Sequence, residues 1–173
     1  IDNDIIALTK EGTGIRSIAR LLKISPTTLL ARIITIAKNI VQPSIPKGRT
    51  YQVDEMRTYV KRKDKLIWIV YALEKQTKNV VSFNIGRRTN QTLKKVITSL
   101  ELSEAEKIIT DKHKNYKFLI RPEIHSTKFR GINHIERKNL TLRTHLKRLN
   151  RKTICFSKSL VILNAILKIY FWG

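Results

Sequence analysis

The sequence has few acidic residues, one cysteine and no long apolar run, and each shortage excludes a class of protein. Its 35 lysines and arginines face only 13 aspartates and glutamates, which gives a formal net charge of +22. Because Cys155 is the only cysteine, the chain has no internal disulfide and no zinc site built from cysteines, which favours a reducing compartment. The longest apolar run, near the C-terminus, is shorter than the ~20 residues that span a bilayer. No secretory signal opens the chain, so we expect a cytoplasmic protein without a membrane partner.

The positive charge is spread along the whole chain and therefore belongs to folded surface. The hydrophobic fraction of 42% suffices for a core. A folded protein this basic repels itself unless a polyanion is its partner, and nucleic acid is the common one. A membrane-surface protein is the alternative, but the polybasic amphipathic helix or lipidation signal that it needs is absent from the sequence.

Residues 1–42 are predicted to form three short helices. Ser25 is placed to cap the third helix and Pro26 to begin it, and apolar spacing carries the helix to about Asn39. A short helix, a tight turn and a capped helix are typical of a helix-turn-helix. A three-helix bundle without a DNA function has the same pattern, and that alternative stays open here. In a helix-turn-helix, the residues facing the DNA groove would be Thr27, Thr28, Ala31 and Arg32.

Beyond residue 42 the pattern changes from helical to alternating. Two prolines within residues 43–49 cannot continue a helix, so a linker is expected there. Three antiparallel strands (residues 50–60, 66–73 and 79–85) are followed by a helix that turns Leu93, Val96, Ile97 and Leu100 inward, and then by a short strand ending at Asp111. A further helix, around Glu136, has an apolar spacing that continues to Leu149. This is the opening order of the ribonuclease-H-like fold. The sequence therefore predicts an α/β fold with a mixed sheet over residues 50–173, preceded by an all-α helix-turn-helix domain at residues 1–42.

Three carboxylates occupy positions that this fold would bring together. The first and fourth strands lie side by side in it, so Asp54, Asp111 and Glu136 would converge. Two Mg²⁺ ions ~3.5–4 Å apart can drive phosphodiester displacement, and such ions prefer carboxylate oxygens. Glu55 follows Asp54 on the strand and points to the opposite face, so Asp54 is the preferred ligand. For Glu136, in a basic helix, a neutralising ion pair is the alternative.

Several segments resemble the transposases of the bacterial insertion sequence one family. They are residues 14–20, Asp54-Glu55-Met56, Thr110-Asp111 and, above all, residues 135–149 continuing to 156–159. The resemblance covers about residues 12–165 and implies a DDE transposase, an enzyme that cleaves and transfers the ends of a DNA element. It implies Asp54, Asp111 and Glu136 as the acidic triad for two Mg²⁺ or Mn²⁺ ions, with Asn139 as an orienting neighbour. It also implies double-stranded DNA as partner, a homo-oligomer on that DNA, and a place at the bacterial nucleoid.

Departures from the family pattern keep other hypotheses open. Family members usually carry a cysteine zinc motif ahead of the helix-turn-helix, and this chain starts after that point. An aromatic residue usually follows Asp-Glu-x where this sequence has Arg57, and a glycine often stands where it has Lys112. The missing zinc region favours a catalytically silent DNA-binding protein, a repressor or inhibitor acting through residues 1–42. A ribonuclease-H-like nuclease for RNA–DNA hybrids is a further alternative.

The remaining polar candidates are predicted to contact DNA or to serve packing. Contact with DNA, weakening steeply with salt, is predicted for Asn139, Arg143, Arg148, Arg151, Lys152 and Lys158, with a solvated face as the alternative. His125 is either structural or a contact to the scissile phosphate, and His145 is a packing or phosphate residue. Cys155 is expected to be a small buried hydrophobe, not a nucleophile. The apolar helix at residues 160–171, with Ser157 or Ser159 as its cap, is expected to pack on the sheet or on another subunit.

Overall fold

A computed structural model describes residues 1–128 and 132–173. Its helices and strands, labelled in chain order, are α1 (Asp2–Lys10), α2 (Ile15–Leu21), α3 (Pro26–Asn39), β1 (Thr50–Val60), β2 (Arg62–Glu74), β3 (Val80–Gly86), α4 (Asn90–Leu102), β4 (Lys107–Ile109), α5 (Tyr116–Leu119), β5 (His125–Ser126), α6 (Asn133–His145) and α7 (Leu160–Trp172). A single 3-10 turn, Lys147–Leu149, follows α6. In the ranges that the structure describes, no helix is both long enough and apolar enough to cross a membrane.

The chain divides into two compact units. Unit 1 contains Ile1–Gln42, Tyr59–Lys65 and Leu142–Gly173, and unit 2 contains Pro43–Thr58 and Leu66–Thr141. The assignment of a DNA-binding domain to residues 1–42, a linker to residues 43–49 and a catalytic domain to residues 50–173 stays a prediction.

The five strands form one mixed sheet in the order β3-β2-β1-β4-β5. Strands β2 and β3 are antiparallel, whereas β4 is parallel both to β1 and to β5. With a helix after β3 and another after β5, this is the ribonuclease-H-like arrangement, so the predicted α/β fold class is confirmed. Strand β5 was not predicted from the sequence, because two residues are too few for any alternating pattern.

The core of unit 2 lies between the sheet and α4. Helix α4 buries Leu93, Val96, Ile97 and Leu100, the four residues predicted to face inward. Its first turn is closed by Thr89, whose hydroxyl accepts a hydrogen bond from the amide of Thr92 at 3.3 Å. Other members of this core come from the three central strands and α5: Tyr51, Val53, Val70, Ala72, Ile108 and Tyr116.

Unit 1 is a helical core built from α1, α2, α3 and α7. The predicted bounds of α3 are confirmed, and so is its cap, since Ser25 Oγ accepts from the Thr28 amide at 3.0 Å. Buried residues from the four helices form one cluster: Ile5, Ile18, Ala19, Leu29, Ile33, Ile36, Ala37, Ala165, Ile166 and Ile169. Helices α1 to α3 therefore do not close a core by themselves.

The partner of α7 differs from the expected one. We expected this helix to pack on the sheet or on another subunit, but it packs on α1 and α3 within unit 1. Its mean hydropathy predicts burial but carries no information about the surface that covers it. The proposed cap is confirmed for Ser159, whose Oγ accepts from the Ile162 amide at 3.4 Å.

Two further expectations about this part of the chain were wrong. The helix around Glu136 was expected to continue to Leu149, but α6 ends at His145 and a 3-10 turn follows. Leu149 lies outside the helix but is still buried. Because it is buried like the apolar residues of α6, its position in the sequence matched a helical spacing. Cys155 is exposed rather than buried. It lies in an irregular segment between the 3-10 turn and α7, where neighbouring apolar residues do not imply burial.

Candidate active site

Asp54 lies in the middle of β1, and Asp111 lies just beyond the end of β4. Because β1 and β4 are parallel neighbours, paired from Thr50 and Lys107, the residues just after β4 come alongside the middle of β1. Burial above all, and then the charges of Asp111 and Glu55, raise the pKa of Asp54 to about 6. The structure thus brings two of the three predicted carboxylates into electrostatic contact across two strands that are far apart in sequence.

Asn139 on α6 joins Asp54 to β2. Its side-chain nitrogen donates to Asp54 Oδ2 at 2.6 Å, and its side-chain oxygen accepts from the Tyr71 hydroxyl at 2.7 Å. Both Asn139 and Tyr71 are buried. Since Tyr71 can supply a hydrogen only to the amide oxygen, it directs the amide nitrogen at Asp54. This geometry favours the orienting role that the family resemblance implied for Asn139 over a direct contact with DNA.

Glu136 is exposed on α6, one turn before Asn139. No ion pair among the described residues includes Glu136, so the neutralising partner considered as an alternative is not found there. Within residues 1–128 and 132–173, however, no three His, Cys, Asp or Glu side chains are grouped closely enough to hold a metal ion. The triad of Asp54, Asp111 and Glu136 therefore stays a prediction, with Glu136 on the helix that Asn139 anchors beside Asp54.

Glu55 is a further carboxylate near the site, and its environment was missed from the sequence. Its side chain is only 2% exposed and accepts hydrogen bonds from Arg88 Nε and from the Tyr116 hydroxyl, both at 3.0 Å. The Arg88 guanidinium in turn lies 4.5 Å from the centre of the Trp68 ring. Burial and the charge of Glu55 raise the pKa of Tyr116, so its phenol stays a donor. No spacing in the sequence links these residues, which come together through the sheet and α5.

His125 supports the backbone of Asp111. Its Nε2 lies 2.7 Å from Thr110 Oγ1, and the same hydroxyl donates to the Asp111 carbonyl oxygen at 2.8 Å. Because the hydroxyl hydrogen is used in this way, Nε2 of His125 is the donor to Thr110. Burial, with the nearby charge of Lys117, lowers the pKa of His125 and favours its neutral form. Of the two interpretations made from the sequence, this geometry favours the structural one.

The residues predicted to face a DNA groove are exposed on α3. Thr27 and Arg32 are both exposed, and Arg32 forms an ion pair with Asp2 at 2.8 Å. Thr28 is exposed as well, but its hydroxyl lies 2.8 Å from Ser25 Oγ at the helix cap. Thr27 and Arg32 thus present the more accessible polar groups on this face.

The predicted basic cluster around the end of α6 does not form a uniform surface. Arg151, Lys152 and Lys158 are exposed, whereas Arg143 is half-buried. Arg148 is largely enclosed, and its guanidinium donates to Ser157 Oγ at 3.0 Å. In the same unit, His145 Nδ1 lies 2.8 Å from the Tyr170 hydroxyl, which identifies His145 as a packing residue.

The fold and the site together define a protein with a ribonuclease-H-like sheet, paired acidic side chains at its centre, and a helical unit that exposes a capped helix. The sequence profile of the family described as IS1 transposase matches residues 50–172. The chain belongs to the IS1 transposase family.

Sequence relatives of the chain come from several enterobacterial insertion elements. The chain is 35% identical over 111 residues to the iso-IS1n protein InsB of Shigella dysenteriae, covering 64% of this chain and 85% of that protein. It is 34% identical over 119 residues to the IS1 protein InsB of Shigella flexneri, covering 69% and 91%. With an IS1 protein InsB of Escherichia coli K12 it shares 31% over 150 residues, covering 87% and 85%.

Two solved structures have a partial likeness to the chain. One is the catalytic core domain of HTLV-2 integrase in complex with magnesium, with a TM-score of 0.49 and 18% identity, covering 74% of this chain and 86% of that chain. Another is the simian T-cell lymphotropic virus intasome in complex with PP2A regulatory subunit B56 gamma, with a TM-score of 0.48 and 16% identity, covering 94% and 66%. The family assignment rests on the sequence matches.

Proposed function

We propose that this protein is a DNA transposase that cleaves the ends of an insertion element and transfers them to target DNA, with Asp54, Asp111 and Glu136 as its catalytic carboxylates. The observation that carries the proposal is the contact between Asp54 and Asn139, made beside the charge of Asp111 in a chain of the IS1 transposase family. A buried carboxylate beside a second carboxylate is costly to keep charged, and an amide donor that stabilises this charge favours a functional role for it.

The residues present fit a divalent metal cofactor. Asp54 and Asp111 supply oxygen ligands of the kind that Mg²⁺ and Mn²⁺ prefer. Burial raises the pKa of Asp54 most, and the charges of Asp111 and Glu55 add to this effect, so a divalent cation beside Asp54 would offset both. Asp54, Asp111 and Glu136 would hold two such ions. The chemistry that a two-ion site supplies is activation of an attacking oxygen and stabilisation of a leaving oxygen.

The residues around the carboxylates would keep them in place. Asn139 orients Asp54, with Tyr71 fixing the amide. The Thr110 hydroxyl, held by His125, supports the Asp111 backbone, and the Asp111 carboxylate accepts from the His113 amide at 3.0 Å. A catalytic group that is held by its neighbours loses less freedom when substrate binds, so these contacts favour the reaction without touching DNA.

Double-stranded DNA is the partner that charge and shape favour. The net charge of +22 suits a polyanion, and α3 exposes Thr27 and Arg32 in the way that a groove-reading helix would. We propose that paired protomers act on the element ends, at the bacterial nucleoid where that DNA lies.

The first experiment measures Mn²⁺ binding to the purified chain by calorimetry at low salt, comparing wild type with Asp111→Asn. Asp64→Asn is the matched control, because Asp64 is an exposed carboxylate that pairs with Arg62. The expected result is binding in wild type and in Asp64→Asn that disappears in Asp111→Asn with the fold intact.

Nicking of DNA that contains the element ends, with Mn²⁺ present, completes the test. Nicking by wild type and not by Asp111→Asn supports a transposase. Binding of the same DNA without nicking, together with equal and negligible Mn²⁺ binding in all three proteins, would favour a silent DNA-binding protein derived from such an element.

A further inference from the structure

A small cavity of about 90 Å³ lies in unit 1, and its lining includes none of the carboxylates of the candidate active site. The lining comes from the end of α1, the turn before α2 and its first residue, the residues after α6, the irregular segment before α7, and α7 itself. The polar side chains in this lining are Thr9, Thr13, Lys147, Arg148 and Cys155, and none of the lining residues is acidic. Lys147 and Cys155 are exposed, so the cavity opens to solvent.

Thr9 presents a buried hydroxyl to the cavity. The residue is 4% exposed, and its Oγ1 makes no hydrogen bond with any residue in the described ranges. A threonine in a helix commonly donates to the carbonyl four residues earlier. Thr35 does so to Ala31, and Thr141 to Arg137, each at 3.1 Å. Thr9 lines the cavity without making this local bond, and a buried hydroxyl without a partner is costly unless a ligand or water meets it.

Arg148 contributes a positive charge to the lining of the same cavity. Burial lowers its pKa, with the Cys155 side chain acting in the opposite direction. Its guanidinium donates to the neutral hydroxyl of Ser157, and it forms no ion pair with a carboxylate in the described part of the chain. A largely enclosed guanidinium that lacks a counter-charge is a strong attractor for an anion.

The turn at Gly12, which also lines the cavity, is closely packed. Gly12 has a φ of +72°, and a Cβ there would overlap the carbonyl oxygen of His145. Amides on this turn are already used: Gly12 donates to the Thr9 carbonyl and Thr13 to the Leu8 carbonyl, both at 3.0 Å. The turn is therefore held against the end of α6, and the cavity exists before any ligand arrives.

We propose that this cavity binds a single phosphate group. The unprotonated oxygens of a phosphate group are strong acceptors, which suits the guanidinium of Arg148, the hydroxyl of Thr9 and the ammonium of Lys147. The phosphate would supply a negative charge beside Arg148 and would accept a hydrogen bond from the Thr9 hydroxyl. That the phosphate is one from a DNA backbone rests on the proposed function, whereas the pocket itself does not.

The test of the pocket uses inorganic phosphate as the probe with the full chain. Binding is measured by calorimetry and by the thermal unfolding midpoint, at constant ionic strength balanced with chloride. Thr9→Val removes the hydroxyl at nearly constant volume and charge, and Thr35→Val is the matched control on an exposed helix face. Thr9→Val is expected to bind phosphate about tenfold more weakly, the loss of one charge-assisted hydrogen bond, and to be no less stable than wild type without phosphate. Thr35→Val is expected to bind like wild type.

A second pair of variants tests the cation without depending on the hydroxyl. Arg148→Met keeps the apolar stem and removes the charge, and Lys63→Met removes an exposed positive charge of the same unit. Phosphate binding should be lost in Arg148→Met and kept in Lys63→Met. If wild type responds to phosphate no more than to chloride, or if Thr9→Val responds as wild type does, the pocket is not a phosphate site.

Competition with duplex DNA identifies the source of the phosphate. If inorganic phosphate weakens DNA binding at constant ionic strength in wild type and not in Thr9→Val, the pocket takes a backbone phosphate. If phosphate binds without affecting DNA affinity, it takes the free ion. A protein that binds no DNA but still binds phosphate in a Thr9-dependent way contradicts the proposed function and leaves the pocket in place.

Discussion

The side-chain nitrogen of Asn139 lies 2.6 Å from Oδ2 of Asp54, across 85 residues of sequence. This contact connects the middle of β1 to α6, the helix that carries Glu136. It also lowers the pKa of Asp54, against the larger effect of burial. The position of α6 and the charge state of Asp54 are therefore coupled through one amide.

Asn139→Ala is expected to reduce DNA nicking at least tenfold, because Asp54 loses its orienting donor. Without that hydrogen bond the pKa of Asp54 rises further, so the nicking rate should reach its plateau at higher pH than in wild type. Tyr71→Phe keeps the ring and the packing, and should have a smaller effect in the same direction. The measurement is a pH–rate profile of all three proteins; a profile for Asn139→Ala that is merely scaled down would contradict this role.

The protein without metal is expected to lose stability as the pH rises from 4 to 7. Burial holds the pKa of Asp54 at about 6 in the folded chain, against an ordinary value of 3.8. The folded state therefore binds this proton more tightly, and the resulting stability is complete below pH 3.8 and lost as the pH rises through 6. The effect amounts to at most about 3 kcal/mol. Urea unfolding with a chelator present should show a flatter pH dependence for Asp54→Asn; parallel curves for the two proteins would exclude this explanation.

Arg88→Met is expected to destabilise the fold by about 2 kcal/mol, because it leaves the buried Glu55 carboxylate with a single donor. Arg62→Met removes an ion pair whose members are both exposed, and should cost between about 0 and 1 kcal/mol. The free energies of unfolding of the two variants, measured in urea, give the comparison directly. Equal losses of unfolding free energy in the two variants would show that Arg88 does not stabilise the buried Glu55 carboxylate.

Gly12→Ala is expected to destabilise unit 1 by about 2 kcal/mol or more, since the new Cβ would meet the His145 carbonyl and φ is +72°. Gly14→Ala is the control: Gly14 has a φ of −71°, and a Cβ there meets nothing within 4 Å. It should cost less than Gly12→Ala, at most about 1 kcal/mol, because Gly14 is the N-cap of α2 and alanine caps a helix less well than glycine. Thermal unfolding of the two variants separates the predicted strain from a general sensitivity of this turn.

Local rules and topology were sufficient to predict much of this structure. The bounds of α3 followed from Ser25 and Pro26, because a cap and a proline act within one turn. The approach of Asp111 to Asp54 followed from the order of strands, since the fold makes β1 and β4 neighbours. Both predictions depended on features that are independent of the distant side chains.

What could not be predicted depends on contacts between distant segments. The sequence around Leu149 keeps a helical spacing, yet α6 ends at His145 and the leucine is buried from a 3-10 turn. The burial of α7 was foreseeable from its composition, but its partners α1 and α3 were not. The hydrogen bonds of Glu55 with Arg88 and Tyr116 join three elements, and no local pattern encodes such a set.

The core of unit 1 joins Ile5 and Ile33 to Ile169, and this has a consequence for the order of synthesis. The ribosome makes α3 well before α7, so most of unit 2 emerges while the first three helices still lack their fourth. Until α7 is made, Ile5 and Ile33 are not fully covered. A chain released before α7 would therefore leave the core of unit 1 incomplete, although α1, α2 and α3 were all present.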